Sequence, residues 1–160
     1  METYDFYFCP HYGAPSNVSD LFTNKHCIEG NRSELMSKIK ANPDFCRGQM
    51  DVKELSKCVK ISNSLYIKTN TGDILGAACI VFIEKTIYIN YLCVPENKNA
   101  REKNYIGTLL LNKLKEICRS AGIKQINLMS LNSSIGFYKK NLFKEGFYKD
   151  KQFTNMYYDL

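Results

Sequence analysis

Four consecutive stretches decide the fold. They are Thr86-Ile87-Tyr88-Ile89-Asn90-Tyr91-Leu92-Cys93-Val94, a polar run over residues 95–104, Ile106-Gly107-Thr108-Leu109-Leu110-Leu111 continuing to Ala121-Gly122, and Lys124-Gln125-Ile126-Asn127-Leu128-Met129-Ser130-Leu131. In the first, Ile87, Ile89, Tyr91 and Cys93 alternate with Tyr88, Asn90, Leu92 and Val94, and both sets are mostly apolar. A strand covered on both faces needs that pattern. In the third, Ile106, Leu109, Leu110, Leu114, Ile117, Cys118 and Ala121 recur at helical spacing, and Gly122 is a natural stop. The fourth reads as another strand. Strand, helix and strand in that order predict two parallel neighbours, residues 86–94 and 124–131, joined by a right-handed crossover.

Downstream, residues 134–141 form a short helix, and residues 145–149 and 155–159 two last strands. Upstream, residues 64–69 and 74–83 read as strands separated by the turn Asn70-Thr71-Gly72-Asp73. Residues 3–8 are a short aromatic strand ended by Pro10, and a helical turn is expected at residues 18–22. Asn31-Arg32-Ser33-Glu34 has the form of a capping box opening a helix through Lys40, and residues 51–59 make a second short helix. No repeat or linker divides the 160 residues, so a single α/β domain over residues 1–160 is expected.

Composition narrows the function classes. The chain is 44% hydrophobic and 24% charged, which argues against disorder. No apolar run approaches the ~20 residues that span a bilayer. The start, Met1-Glu2-Thr3-Tyr4-Asp5, lacks the basic and apolar regions of a signal peptide, so a cytoplasmic protein without membrane attachment is expected. Seven cysteines with no Cys-x-x-Cys pair fit reduced thiols, with Cys79, Cys93 and Cys118 acting as small apolar residues. Cys9 with His11, or His26 with Cys27, makes poor ligand spacing, and no metal is expected.

The net charge of +6 is uneven. Residues 1–96 carry a net of −1, residues 97–151 a net of +8. The basic half calls for an anionic partner. Nucleic acid is disfavoured, because no recognition motif accompanies the charge. A phosphorylated small molecule fits better. A loop entering a helix near Gly107 offers backbone N–H groups and a positive dipole end, with Lys98, Arg101 and Lys103 around it. A P-loop and a dinucleotide fingerprint are both absent.

In their order, Tyr91-Leu92-Cys93-Val94-Pro95-Glu96, Tyr105-Ile106-Gly107-Thr108-Leu109-Leu110-Leu111, Gln125-Ile126-Asn127-Leu128 and Phe137-Tyr138-Lys139-Lys140-Asn141-Leu142-Phe143 resemble the core of the GNAT superfamily of acetyl-CoA-dependent N-acetyltransferases. The resemblance covers about residues 73–145. It implies a mixed, mostly antiparallel sheet flanked by helices, whose central parallel pair splays apart to admit acetyl-CoA as cosubstrate. It implies that main-chain groups of Leu92, Cys93 and Val94 bind the thioester and pantetheine. Main-chain groups of Glu102, Lys103, Asn104, Tyr105, Ile106, Gly107 and Thr108 would cradle the pyrophosphate with Arg101 beside them, Asn132 would reach the CoA arm, and Tyr138 would stand beside the thioester sulfur as acid. An amine acceptor would attack directly in a ternary complex, in a monomer or homodimer.

The chain departs from the family pattern in places. Glu102 and Tyr105 replace the first basic or amide residue and the first glycine of the phosphate loop, and Arg101 is placed to slide into the missing role. Leu142-Phe143 replaces Gly-Phe, which gives Asn141 the left-handed cap position. Tyr88 and Asn90 stand where many members carry a glutamate base, and a water held by either would carry the proton. Glu84 reads as a turn residue. These departures leave a second expectation open, a GNAT-like protein that binds acyl-CoA without catalysis. The acceptor amine is not legible.

Overall fold

The computed structural model describes residues 3–11, 14–15, 17–18, 29–42, 52–95 and 98–160, apart from the side chains of residues 29–32, 52, 55 and 56. Seven strands form one mixed sheet, β1 (Tyr4–Cys9), β2 (Asn63–Thr69), β3 (Ile74–Ile83), β4 (Thr86–Cys93), β5 (Gln125–Leu131), β6 (Lys144–Lys149) and β7 (Phe153–Asp159). Their spatial order is β1-β2-β3-β4-β5-β7-β6. Only β4 and β5 run parallel; the other neighbours are antiparallel. The helices are α1 (Glu29–Ala41), α2 (Val52–Ile61), α3 (Ala100–Ala121) and α4 (Ile135–Lys140).

Two apolar clusters sandwich the sheet. On one face Leu110, Leu111, Leu114 and Ile117 of α3 pack with Leu65, Ile67, Ile80, Ile87, Ile126 and Leu128. On the other, Leu35 and Ile39 of α1 and Cys58 and Val59 of α2 pack with Tyr66, Ala77, Cys79 and Cys93. Both layers follow from period-2 strands meeting period-3.6 helices.

A bulge changes the expected facing of β4. Cys79 pairs with Tyr91 but Ile80 with Ile89, so Asn90 is an extra residue on β4. An inserted residue reverses the alternation beyond it. Ile87 and Ile89 therefore share the α3 face with Leu92 and Val94, whereas Tyr91 and Cys93 turn to the α1–α2 face. Strict alternation, by contrast, places Tyr91 and Cys93 with Ile87 and Ile89.

Four further expectations need correction. Helix α3 begins at Ala100, not after residue 104, because Asn99 caps it: the Asn99 side chain accepts from the Glu102 N–H at 2.9 Å. Helix α1 already runs from Glu29, so Asn31 lies inside it and does not cap it. At the end of α4, Leu142 takes the left-handed conformation (φ 71°) while Asn141 stays at φ −93°. The cysteines are not all reduced: Cys9 and Cys93 are disulfide-bonded, while Cys58, Cys79 and Cys118 are thiols. Cys9 and Cys93 do not bond each other, since β2 and β3 separate their strands by about 14 Å in all. The turn expected at residues 18–22 lies largely outside the described residues, which show a 3-10 turn at Asn17 and Val18.

Among the described residues no helix is long and apolar enough to cross a membrane. The same residues hold no His/Cys/Asp/Glu group able to bind a metal.

Candidate active site

The parallel ladder between β4 and β5 runs from Thr86↔Gln125 to Ile89↔Leu128 and stops there. Beyond that point β4 stays with β3, through Ala77↔Cys93, and β5 stays with β7, through Leu131↔Phe153. The strands are thus pulled apart by their outer partners, and the Asn90 bulge falls where they separate. Extra twist at a bulge favours such parting.

A cavity of about 460 Å³ fills the gap. Ile89, Asn90, Tyr91, Leu92 and Val94 form its β4 wall, and Leu128, Met129, Ser130 and Leu131 its β5 wall. Lys103, Asn104 and Gly107 border it from α3, Phe137 and Tyr138 from α4, and Ser133 and Ser134 from the 3-10 turn after β5. Phe153 of β7 and Glu54 of α2 complete it. Polar and apolar groups share the lining, and the volume suits a small-molecule site.

Tyr138 is positioned by aromatic packing. Its ring meets Phe137 at 5.0 Å and Phe143 at 5.6 Å, both edge-on. The chain turns back after α4 through Leu142, and the Phe143 N–H returns to the Tyr138 carbonyl at 3.0 Å. Burial pushes the Tyr138 phenol above its ordinary value, so it keeps its proton at neutral pH. Its hydroxyl makes no hydrogen bond to any described residue, although the residue is only 9% exposed. In a residue that lines the cavity, a hydroxyl without a partner is a proton donor available to whatever fills it.

Of the residues singled out from sequence, Asn90, Leu92, Val94, Lys103, Asn104, Gly107 and Tyr138 line the cavity. Tyr88, Cys93, Arg101, Glu102, Tyr105, Ile106, Thr108 and Asn132 are not among its lining residues. For α3 the cause is helical geometry: Lys103, Asn104 and Gly107 share one face, and Arg101, Glu102 and Tyr105 point to solvent. Ile106 turns into the core, where its Cγ2 would meet a β-carbon built on Gly76 at 2.8 Å. Asn132 is spent elsewhere: its amide donates to the Asp150 carbonyl at 3.0 Å and accepts from Thr154 Oγ1 at 2.6 Å. The Cys93 side chain lies on the opposite face of the sheet. Burial also raises the Tyr88 phenol, which makes it a still poorer base.

Two features bear on phosphate binding. A free helix N-terminus attracts phosphate, but the Asn99 cap occupies the Glu102 N–H and the Glu102 carboxylate sits 2.7 Å from the Asn99 amide nitrogen. Gly107 serves packing, since a β-carbon there would lie 2.6 Å from Phe137 Cζ.

Sequence reasoning missed Glu54, Ser133, Ser134, Phe137 and Phe153. The serines lie in the turn that follows β5, just past Asn132. Nothing local ties Glu54 to the cleft; that link is made by Cys58, one turn later on α2, whose sulfur lies 3.8 Å from the Asn90 amide nitrogen.

A mixed sheet split at its parallel pair, with a cavity in the split, defines the class. The chain matches the Acetyltransferase (GNAT) family over residues 36–142, and it belongs to that family. The uncharacterized protein YxbD of Bacillus subtilis (strain 168) is 38% identical over 88 residues, 52% of this chain and 49% of that protein. The chain thus spans about half the length of the curated relative it matches. A putative N-acetyltransferase from Lactobacillus plantarum shares the fold with TM-score 0.66 at 12% identity, over 99% of both chains. The catalytic domain of the Tetrahymena GCN5 histone acetyltransferase, in complex with coenzyme A, does so with TM-score 0.64 at 19% identity, over 99% of this chain and 94% of that one.

Proposed function

We propose that the protein is an N-acetyltransferase that moves an acetyl group from acetyl-CoA to a primary amine by direct attack in a ternary complex. One observation carries the proposal: Tyr138 lines the cavity between β4 and β5, and its hydroxyl has no hydrogen-bond partner among the described residues. Family membership and the coenzyme A complex of the Tetrahymena neighbour support acetyl-CoA as the cosubstrate.

In this proposal the acyl arm lies between β4 and β5, past the end of their ladder. Main-chain donors near Leu92, Cys93 and Val94 would stabilise charge developing on the thioester oxygen. Tyr138 hydrogen-bonds the departing sulfur and gives it a proton as charge develops there; burial keeps the phenol protonated until then but also makes it the weaker acid. Lys103 and Asn104, on the cavity side of α3, would meet the polar end of the cosubstrate. That set is narrower than the eight-residue stretch from Arg101 to Thr108 expected from sequence.

A second reading, an acyl-CoA-binding protein without turnover, is favoured by one feature. The start of α3 is capped by Asn99 and carries the Glu102 carboxylate, which opposes a pyrophosphate there. The two readings part in one experiment. Thermal shift with acetyl-CoA measures binding, and thiol release with a panel of amines measures transfer. The transferase reading expects both, with Tyr138→Phe lowering kcat about 100-fold at an unchanged melting temperature. Binding without thiol release selects the second reading.

A further inference from the structure

Resting on the acetyl-transfer reading above, the geometry points to Glu54 of α2 as the group that takes the proton from the incoming amine, with Asn90 presented to that amine by Cys58 and Ser62. The acceptor then enters from the α2 side as a cationic primary amine.

Glu54 is the only carboxylate lining the cavity among the described residues, and Lys103 is the only cation. They belong to α2 and α3, so the site has one acidic and one basic flank. Cys58 and Ser62 fix the first. The Asn90 amide nitrogen lies 3.8 Å from Cys58 Sγ and 3.4 Å from Ser62 Oγ. Cys58 and Ser62 are also 3.5 Å apart. The end of α2 is therefore tied to the β4 bulge, and Glu54, four residues before Cys58, overhangs the cleft on the same helical face.

The polarity of this corner selects the ligand. With its nitrogen turned to Cys58 and Ser62, Asn90 has its carbonyl oxygen left to offer, and that oxygen only accepts. An ionised Glu54 also only accepts. Two acceptors fit a group that only donates, and an ammonium is such a group. Transfer then balances as follows. The ammonium loses a proton to the Glu54 carboxylate, and its lone pair forms the C–N bond to the acetyl carbon. The C–S bond breaks, and the thiolate takes the Tyr138 proton. The attacking nitrogen, left cationic by bond formation, gives up its second N–H proton to solvent; the proton on Glu54 passes through solvent to restore Tyr138, so that second proton is the one released per amide formed.

The test compares the parent protein with Glu54→Gln and Glu54→Asp, using acetyl-CoA with spermidine and with a lysine-bearing peptide between pH 6 and 9. Glu54 is exposed, and the melting temperature of each variant, read alongside, separates a catalytic loss from a structural one. Expected for Glu54→Gln is a fall in kcat/KM of about 100-fold at pH 7. The deficit should shrink as rising pH supplies neutral amine, with acetyl-CoA affinity unchanged and Glu54→Asp recovering part of the loss. Equal rates in parent and Glu54→Gln, or a deficit constant across pH, would overturn the role of Glu54. A parent that binds acetyl-CoA but releases no thiol with either amine overturns the transfer reading itself, and the role of Glu54 falls with it.

Discussion

Gly107 and Phe137 hold α3 and α4 together by close approach: a β-carbon on Gly107 would stand 2.6 Å from Phe137 Cζ and 3.1 Å from Cε1. Phe137 in turn meets the Tyr138 ring at 5.0 Å. A side chain at position 107 must therefore push the ring that seats Tyr138. Gly107→Val should cost about 1–3 kcal/mol by overpacking, read from urea unfolding. The better helix propensity of valine returns only a few tenths of a kcal/mol. The variant should also lose thiol-release activity more steeply than stability. A variant as stable and as active as the parent would mean that Phe137 swings aside freely.

How much was legible follows from the same region. The strand–helix–strand core announced itself, because its periodicities are strong and local. The start of α3 did not, although its signal was present: Asn99-Ala100-Arg101-Glu102 has the same capping pattern as Asn31-Arg32-Ser33-Glu34. The structure uses the first and not the second. Where two matches compete, tertiary packing decides, and Leu35 and Ile39 are fully buried wherever α1 begins. The bulge at Asn90 left no trace in sequence, since β4 alternates regularly through it. Glu54 was hidden for a different reason. Its place depends on contacts between α2 and β4, some 30 residues apart, that no local pattern records.

Cys58 predicts a dependence of stability on pH. Hydrogen bonding from Cys79 pulls its thiol from an ordinary 9.0 down to about 6, against burial, with Ser62 and Asn90 helping. Between those values the folded protein binds fewer protons at Cys58 than the unfolded chain, so stability rises with pH. The contribution is complete above pH 9 and is lost as pH falls through about 6. Melting temperatures taken between pH 5.5 and 9 should diverge in favour of the parent over Cys58→Ser as pH rises. Groups that do not touch Cys58 are common to both proteins and cancel in the difference, whereas Cys79, its hydrogen-bond partner, responds to the substitution. Parallel curves would show that Cys58 stays a thiol throughout.

Leu142 carries strain that can be removed. It holds φ 71° at the end of α4, where its own N–H returns to the Lys139 carbonyl and the Phe143 N–H to the Tyr138 carbonyl, both at 3.0 Å. This reversal is usually made by glycine, because a β-carbon in the left-handed region costs about 1–2 kcal/mol. Leucine gains little in return, since it is 69% exposed. Leu142→Gly frees the folded state of that strain but adds freedom to the unfolded chain, an offset of about 0.4–1 kcal/mol. The net expectation is a gain of about 0.5–1 kcal/mol, seen as a higher urea midpoint with unchanged slope. Leu142 is not among the cavity-lining residues, so thiol release should be unaltered. A loss of stability would mean that the leucine side chain contributes more to the α4–β6 corner than its exposure indicates.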